Sequence, residues 1–202
     1  MKKLFFTFIC MAFIALGSMA KTDASAGKNA PYIVIDKETM TLTLFNADGT
    51  TKAKFPMACG LNYGDKQKKG DKRTPEGEFT VQQIQNASSW THDFGDGKGE
   101  IKGAYGPWFI RLLTPPHTGI GIHGTHNPKS IGTRCTEGCI RLNNAHVDSL
   151  KKMVKVGTKV TILPSEKDKA AMGAPSAKQA PKAKAGATAP KKRASSKAKK
   201  SK

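Results

Sequence analysis

The sequence predicts a mostly β domain, a sandwich or closed sheet with one main helix packed at one end, followed by a disordered basic tail. Three observations carry this. Short runs of strand-forming residues recur between Gly, Asn and Asp turns, only one stretch has helical spacing, and the composition changes abruptly after Pro164. Strands and helix follow in no βαβ order, which disfavours a parallel sheet wrapped in helices.

Tyr32 to Asp36 is rich in β formers, and Thr39 to Phe45 alternates Thr with Met and Leu, the period of a half-buried strand. Asn46-Ala47-Asp48-Gly49 supplies turn chemistry before a third strand over Lys52 to Ala58. Gly60 to Pro75 is polar and rich in Gly and Lys, so an exposed loop is expected, and Glu78 to Gln85 resumes a strand. Residues 86–106 read as irregular. Pro107 to Thr114, Gly119 to His123 and Thr158 to Leu163 carry the apolar runs of buried strands. The helix is Ala145 to Val156, capped by Asn143 or Asn144 and stopped at Gly157.

Lys2 and Lys3 precede an apolar run from Leu4 to Leu16 that ends in small residues. This reads as a secretory leader over 1–20, or to 26 if cleavage follows Ala24-Ser25-Ala26. The run is too short to span a bilayer comfortably, so no transmembrane segment is expected in the mature chain. Residues 31–164 then form one domain, and 165–202 a Lys/Ala/Pro/Ser-rich tail without aromatic, Ile, Leu or Val residues. Of the net charge of +19, the tail holds twelve Lys/Arg against two acids. On an exported chain that excess points to anionic polymers of the periplasm or cell envelope, or to a mere solubilising tether, rather than to nucleic acid.

Cys59, Cys135 and Cys139 remain once the leader and its Cys10 are removed. Three thiols cannot all pair within one chain, so an oxidising compartment leaves one free or bonded between molecules. The segment from Ile122 to Leu142, IHGTHNPKSIGTRCTEGCIRL, gathers two histidines, two cysteines and two arginines where core packing has little use for them. A cysteine nucleophile needs a base to take its proton, and His123 at a strand end can serve Cys139. Gly138 gives a substrate room to approach, the N–H groups of Gly138 and Cys139 are candidates for an oxyanion hole, and Arg141 is a candidate cation for a substrate carboxylate or carbonyl.

These residues carry a family resemblance. His123-Gly124-Thr125, Ser130-Ile131-Gly132 and Thr136-Glu137-Gly138-Cys139-Ile140-Arg141 resemble the catalytic signature of L,D-transpeptidases. Thr74-Pro75-Glu76-Gly77-Glu78-Phe79 and Gly157-Thr158-Lys159-Val160 resemble two further segments of that family, so the likeness covers residues 32–163. It implies a β-rich fold and attack by Cys139 on the peptide bond after the third residue of a peptidoglycan stem. D-alanine would leave, and the acyl group would pass to an amine of a second stem, forming a 3-to-3 cross-link, or to water, as in an L,D-carboxypeptidase. It also implies a backbone carbonyl orienting His123, with Gly124 the candidate, and requires no metal or other cofactor. Thr136 keeps the hydroxyl of the commoner Ser. Cys135 stands where an apolar residue is commoner, and is read as a small buried hydrophobe or a partner of Cys59, ahead of a bond to Cys139.

Other readings compete. His123, His126, Cys135 and Cys139 contain His-x-x-His and Cys-x-x-x-Cys, but neither spacing is the common zinc pattern. His92, His117 and His146 show no partner pattern, and Trp90, Tyr105 and Trp108 fit a groove lining or a core equally. A non-catalytic envelope-binding protein is the rival from another class.

Overall fold

A computed structural model describes residues 30–173 apart from Asp96 and Lys98. The expected leader and residues 174–202 of the expected tail lie outside the described residues. An eight-stranded sheet forms the body. Its strands are β1 (Tyr32–Asp36), β2 (Thr41–Phe45), β3 (Thr51–Pro56), β5 (Gly77–Asn86), β8 (Trp108–Leu113), β9 (Gly121–His123), β11 (Ile140–Arg141) and β12 (Lys159–Leu163). They lie in the order β11-β9-β8-β5-β12-β1-β2-β3.

Alternation decides which face is buried. Ile33 and Ile35 of β1 face Leu44 and Leu42 of β2 on one side and Val160 and Ile162 of β12 on the other. The same layer continues through Val81 opposite Leu112, Ile110 opposite Ile122, and Ile122 opposite Ile140. All of these are buried in one cluster. Each such side chain contributes roughly 1.5–3 kcal/mol on leaving water.

The sheet curls until its two edges meet. Beyond β3, Ala58 N–H donates to Arg141 O and Arg141 N–H donates to Ala58 O, both at 2.8 Å, an antiparallel bridge onto β11. Beside this seam, β4 (Cys59–Gly60) pairs with β10 (Arg134–Thr136). Helix α1 (Asn144–Met153) buries Val147 and Leu150 and packs against β8 and β9. Among the described residues no helix is long and apolar enough to cross a membrane.

Four expectations are corrected. Residues 86–106 hold a hairpin of β6 (Thr91–Asp93) and β7 (Glu100–Lys102). Helix α1 ends at Met153, because Val154 is extended and Gly157 N–H donates to Val81 O instead. Neither asparagine caps it through its side chain: Asn143 is the N-cap without such a bond, and Asn144 Oδ1 accepts from Thr125 N–H at 2.7 Å. The 60–75 loop is partly buried, at Gly64, Lys66, Thr74 and Pro75.

The largest correction concerns the boundary at residue 164. Helix α2 (Glu166–Gly173) continues the ordered body, and Asp168 is fully buried. Ser165 N–H donates to Asp168 Oδ2 at 2.8 Å while Asp168 N–H donates to Ser165 Oγ at 3.1 Å, a reciprocal cap. Asp168 also accepts from Gly64 N–H at 2.7 Å and from Arg134 Nη2 at 2.5 Å. Lys37, whose side chain is entirely buried, lies 3.3 Å from Asp168 and 2.5 Å from Glu76. Burial alone would raise the Asp168 carboxyl, but hydrogen bonds from Ser165 and Gly64 and the Lys37 charge hold it well below the usual carboxylate range.

Candidate active site

Strand pairing sets Cys139 and His123 on adjacent strands. Parallel β9 and β11 set Ile122 beside Ile140 and His123 beside Arg141. Cys139 thus enters β11 alongside Gly121, two residues from His123 on the neighbouring strand. His123 is buried, sandwiched with its ring parallel to Phe109 at 5.7 Å and with Tyr105 edge-on at 5.0 Å. Its Nδ1 lies 2.6 Å from Gly124 O. A carbonyl only accepts, so Nδ1 carries the proton and Nε2 keeps its lone pair.

Both groups rest uncharged. Burial, helped by the Arg141 charge, brings the His123 imidazole down to about 3 against the pull of the Gly124 carbonyl. Cys139 is partly exposed, but the protein packed round its sulfur pushes the thiol up to about 11. Its S–H points to Gly119 O at 3.4 Å. An imidazolium–thiolate pair is therefore not the resting state, because desolvation penalises both charges.

The turn before the thiol is closely fixed. Thr136 Oγ1 donates to Cys139 O at 2.6 Å and accepts from Gly138 N–H at 3.1 Å. Thr74 Oγ1 donates to Gly138 O at 2.9 Å and accepts from Gly60 N–H at 2.8 Å. The Gly138 N–H expected to join an oxyanion hole is already engaged, and the Cys139 N–H is the remaining member of that pair. Gly138 has φ +130°, and a Cβ there would lie 2.6 Å from Arg73 O. Gly138→Ala is expected to cost about 1–3 kcal/mol of stability and to shift the Cys139 loop. Chemical denaturation of the variant would check this, and an unchanged midpoint would show that the loop yields freely.

Arg141 departs most from expectation. It is 5% exposed, and its Nη1 donates to Ser130 Oγ at 3.0 Å and contacts Cys135 Sγ at 3.5 Å, so the guanidinium is not presented to a ligand. Cys59 is buried and Cys135 exposed, and both are free, which corrects both the bridge between them and the reading of Cys135 as a buried hydrophobe. Among the described residues no three His, Cys, Asp or Glu groups converge as a metal site would require.

Sequence reasoning missed a second histidine. His92 Nε2 lies 3.1 Å from Glu137 Oε2, and Tyr105 Oη lies 3.0 Å from His92 Nδ1. The carboxylate only accepts, so Nε2 carries the proton and Tyr105 donates to Nδ1. This chain ties the β6–β7 hairpin to the loop that carries Cys139. The residues lie 45 positions apart, and no spacing signals the pairing. A cleft of about 510 Å³ is lined by Cys139, Tyr105, Glu137 and His117 among others. Trp90 packs on Tyr105 and Phe109 and lines an adjoining hollow, whereas Trp108 donates to Asp148 on α1, away from the cleft.

A curled β sheet thus sets a thiol and a buried imidazole on adjacent strands beneath an open cleft. The chain belongs to the L,D-transpeptidase catalytic domain family, whose model matches residues 30–162. It is 33% identical over 135 residues to the YkuD protein of Bacillus licheniformis, covering 66% of this chain and 67% of that one. It is 27% identical over 157 residues to the YqjB protein of Bacillus subtilis, covering 77% and 84%. In fold it is similar to the catalytic domain from the E. faecium L,D-transpeptidase, at TM-score 0.50, 21% identity, and 67% and 98% coverage. It is likewise similar to an L,D-transpeptidase from Mycobacterium smegmatis, at TM-score 0.50 and 21% identity, covering 66% of this chain and 58% of that one.

Proposed function

We propose that this protein is an exported L,D-transpeptidase of the periplasm or cell envelope that forms 3-to-3 cross-links between peptidoglycan stems, with Cys139 as nucleophile and His123 as base. The observation that supports this reading is the pairing of β9 with β11, which sets Cys139 at the start of the strand beside that of His123, whose Nδ1 is fixed on Gly124 O. Cys139 Sγ attacks the carbonyl of the third stem residue as its proton passes to His123 Nε2. The C–N bond then breaks, and D-alanine departs with that proton on its amine. An amine of a second stem attacks the thioester, the C–S bond breaks, and the thiol is reprotonated. Because thiol and imidazole both rest neutral, proton transfer accompanies attack rather than preceding it. The Cys139 N–H is suited to receive the developing oxyanion. The basic C-terminal segment is suited to hold anionic envelope polymers, an attraction that salt would weaken.

Incubating the protein with a tetrapeptide stem and weighing the products tests this. The expected product is a dimer lacking one D-alanine, absent when Cys139→Ala replaces the parent. Release of D-alanine without dimer would make the enzyme an L,D-carboxypeptidase. Turnover surviving in Cys139→Ala would remove the nucleophile assignment, and no turnover by the parent would favour a non-catalytic envelope-binding protein.

A further inference from the structure

One wall of the cleft over Cys139 is a turn built to present cations. Lys66, Lys69 and Lys72 all line it. The Asp71 carboxylate accepts from Lys66 Nζ at 2.8 Å, from Gln67 N–H at 2.7 Å, from Lys68 N–H at 3.0 Å and from Arg73 N–H at 3.1 Å. Burial would raise this carboxyl, but the Lys66 ammonium and the three N–H donors hold it well below the usual carboxylate range, so it stays charged and keeps the turn fixed. The other acid of the turn, Asp65, is held by Glu76 N–H at 2.9 Å. Glu137, which also lines the cleft, accepts from His92 Nε2, whose other nitrogen accepts from Tyr105, so this imidazole brings no charge to cancel it.

The charges therefore cancel unevenly. Lys66 is 6% exposed and neutralised by Asp71, whereas Lys69 and Lys72 are exposed and have no acidic partner among the described residues. Lys69 and Lys72 thus outnumber the one unneutralised carboxylate in the lining shared with Cys139, that of Glu137, while the guanidinium of Arg141 is buried. A cleft with this unpaired positive charge favours a ligand that brings carboxylates and discriminates against one in which they are capped as amides.

We propose that Lys69 and Lys72 are specificity-determining residues that select stem peptides with free, rather than amidated, carboxylates flanking the scissile bond. The inference rests on the proposed stem-peptide function and adds the chemical form of the stem that the cleft accepts. Neither side chain touches the reacting atoms, so their effect falls on binding and on KM rather than on kcat.

The test uses the full chain carrying Cys139→Ala, which binds without turning over, and two synthetic tetrapeptide stems identical except that the side-chain and internal carboxylates of one are amidated. Calorimetry is expected to show the free-carboxylate stem binding about five- to tenfold tighter at low salt, the range two partly exposed charge pairs supply. Raised salt should shrink the difference. Adding Lys69→Gln and Lys72→Gln should erase it without moving the unfolding midpoint, since neither side chain has a partner to lose. Equal affinity for the two stems in the Cys139→Ala protein, or a preference that persists in the triple variant, would overturn the proposal. Should the Cys139-containing protein turn over both stems with equal kcat/KM, only this selectivity fails. Should neither stem bind nor turn over, the stem-peptide function fails with it.

Discussion

A chain ended at Pro164 is expected to lose about 3–5 kcal/mol of its stability, whereas a chain ended at Gly173 is expected to unfold at the same midpoint as the full protein. The reason is the buried cluster that α2 completes. Without Asp168, Lys37 keeps only Glu76, and Arg134 loses its carboxylate, with both cations inside the protein. Removing one partner of a buried ion pair costs about 3–5 kcal/mol, against a total stability of about 5–15 kcal/mol for an ordinary domain. Asp168→Ala in the full chain should show a similar loss. The effect should reach the cleft, because Gly64 N–H loses its acceptor and begins the loop that carries Lys66 and Thr74. Denaturant unfolding followed by circular dichroism would measure all three proteins, and an unchanged midpoint for the chain ended at Pro164 would show that the cluster contributes nothing net.

The second large effect concerns thiol chemistry. With its thiol pushed up to about 11, Cys139 holds only about one part in ten thousand as thiolate at pH 7. Iodoacetamide at neutral pH should therefore label exposed Cys135 first and Cys139 slowly. Cys59 should be slowest, since it is buried and its thiol is also pushed up to about 11 by burial. The Cys139 rate should climb about tenfold per pH unit toward pH 11. Peptide mapping of the labelled chain separates the three sites, and Cys139 labelling ahead of Cys135 at neutral pH would mean a preformed thiolate.

The same desolvation fixes an acid limit. His123 titrates at about 3 when folded and near 6.5 when unfolded, so between these values the unfolded chain binds the extra proton. The stabilisation is fully present above pH 6.5 and is lost as pH falls toward 3. Asp168 and Asp71, held below the carboxylate range, lose theirs only below about pH 4. A stability profile flat from pH 6.5 to 4 would mean that His123 is not kept neutral by burial.

Much of the sheet was legible because its strands alternate over a single buried face, as at Ile33-Ile35 and Leu42-Leu44. The order His123 then Cys139 was legible for another reason, since few structural roles require a thiol and an imidazole flanked by glycines. What escaped was held by polar contacts. Helix α2 has no Ile, Leu or Val to give an apolar period and stays in place through one carboxylate, although the Ser165-x-x-Asp168 cap was present in the sequence as a start signal. The β6–β7 hairpin is short, rich in glycine and secured by Tyr105-His92-Glu137, contacts with no local spacing to reveal them. Lys66 looked like loop surface, and only the Asp71 cage explains its burial.

The bridge between Ala58 and Arg141 has a kinetic consequence. Its two residues lie 83 positions apart, and Arg141 follows the thiol by only two. Pairings of such long range carry a large loop-closure entropy and form slowly. A chain still open at this seam can already pair β9 with β11, but β11, the strand that Cys139 leads into, keeps one free edge until Ala58 closes it.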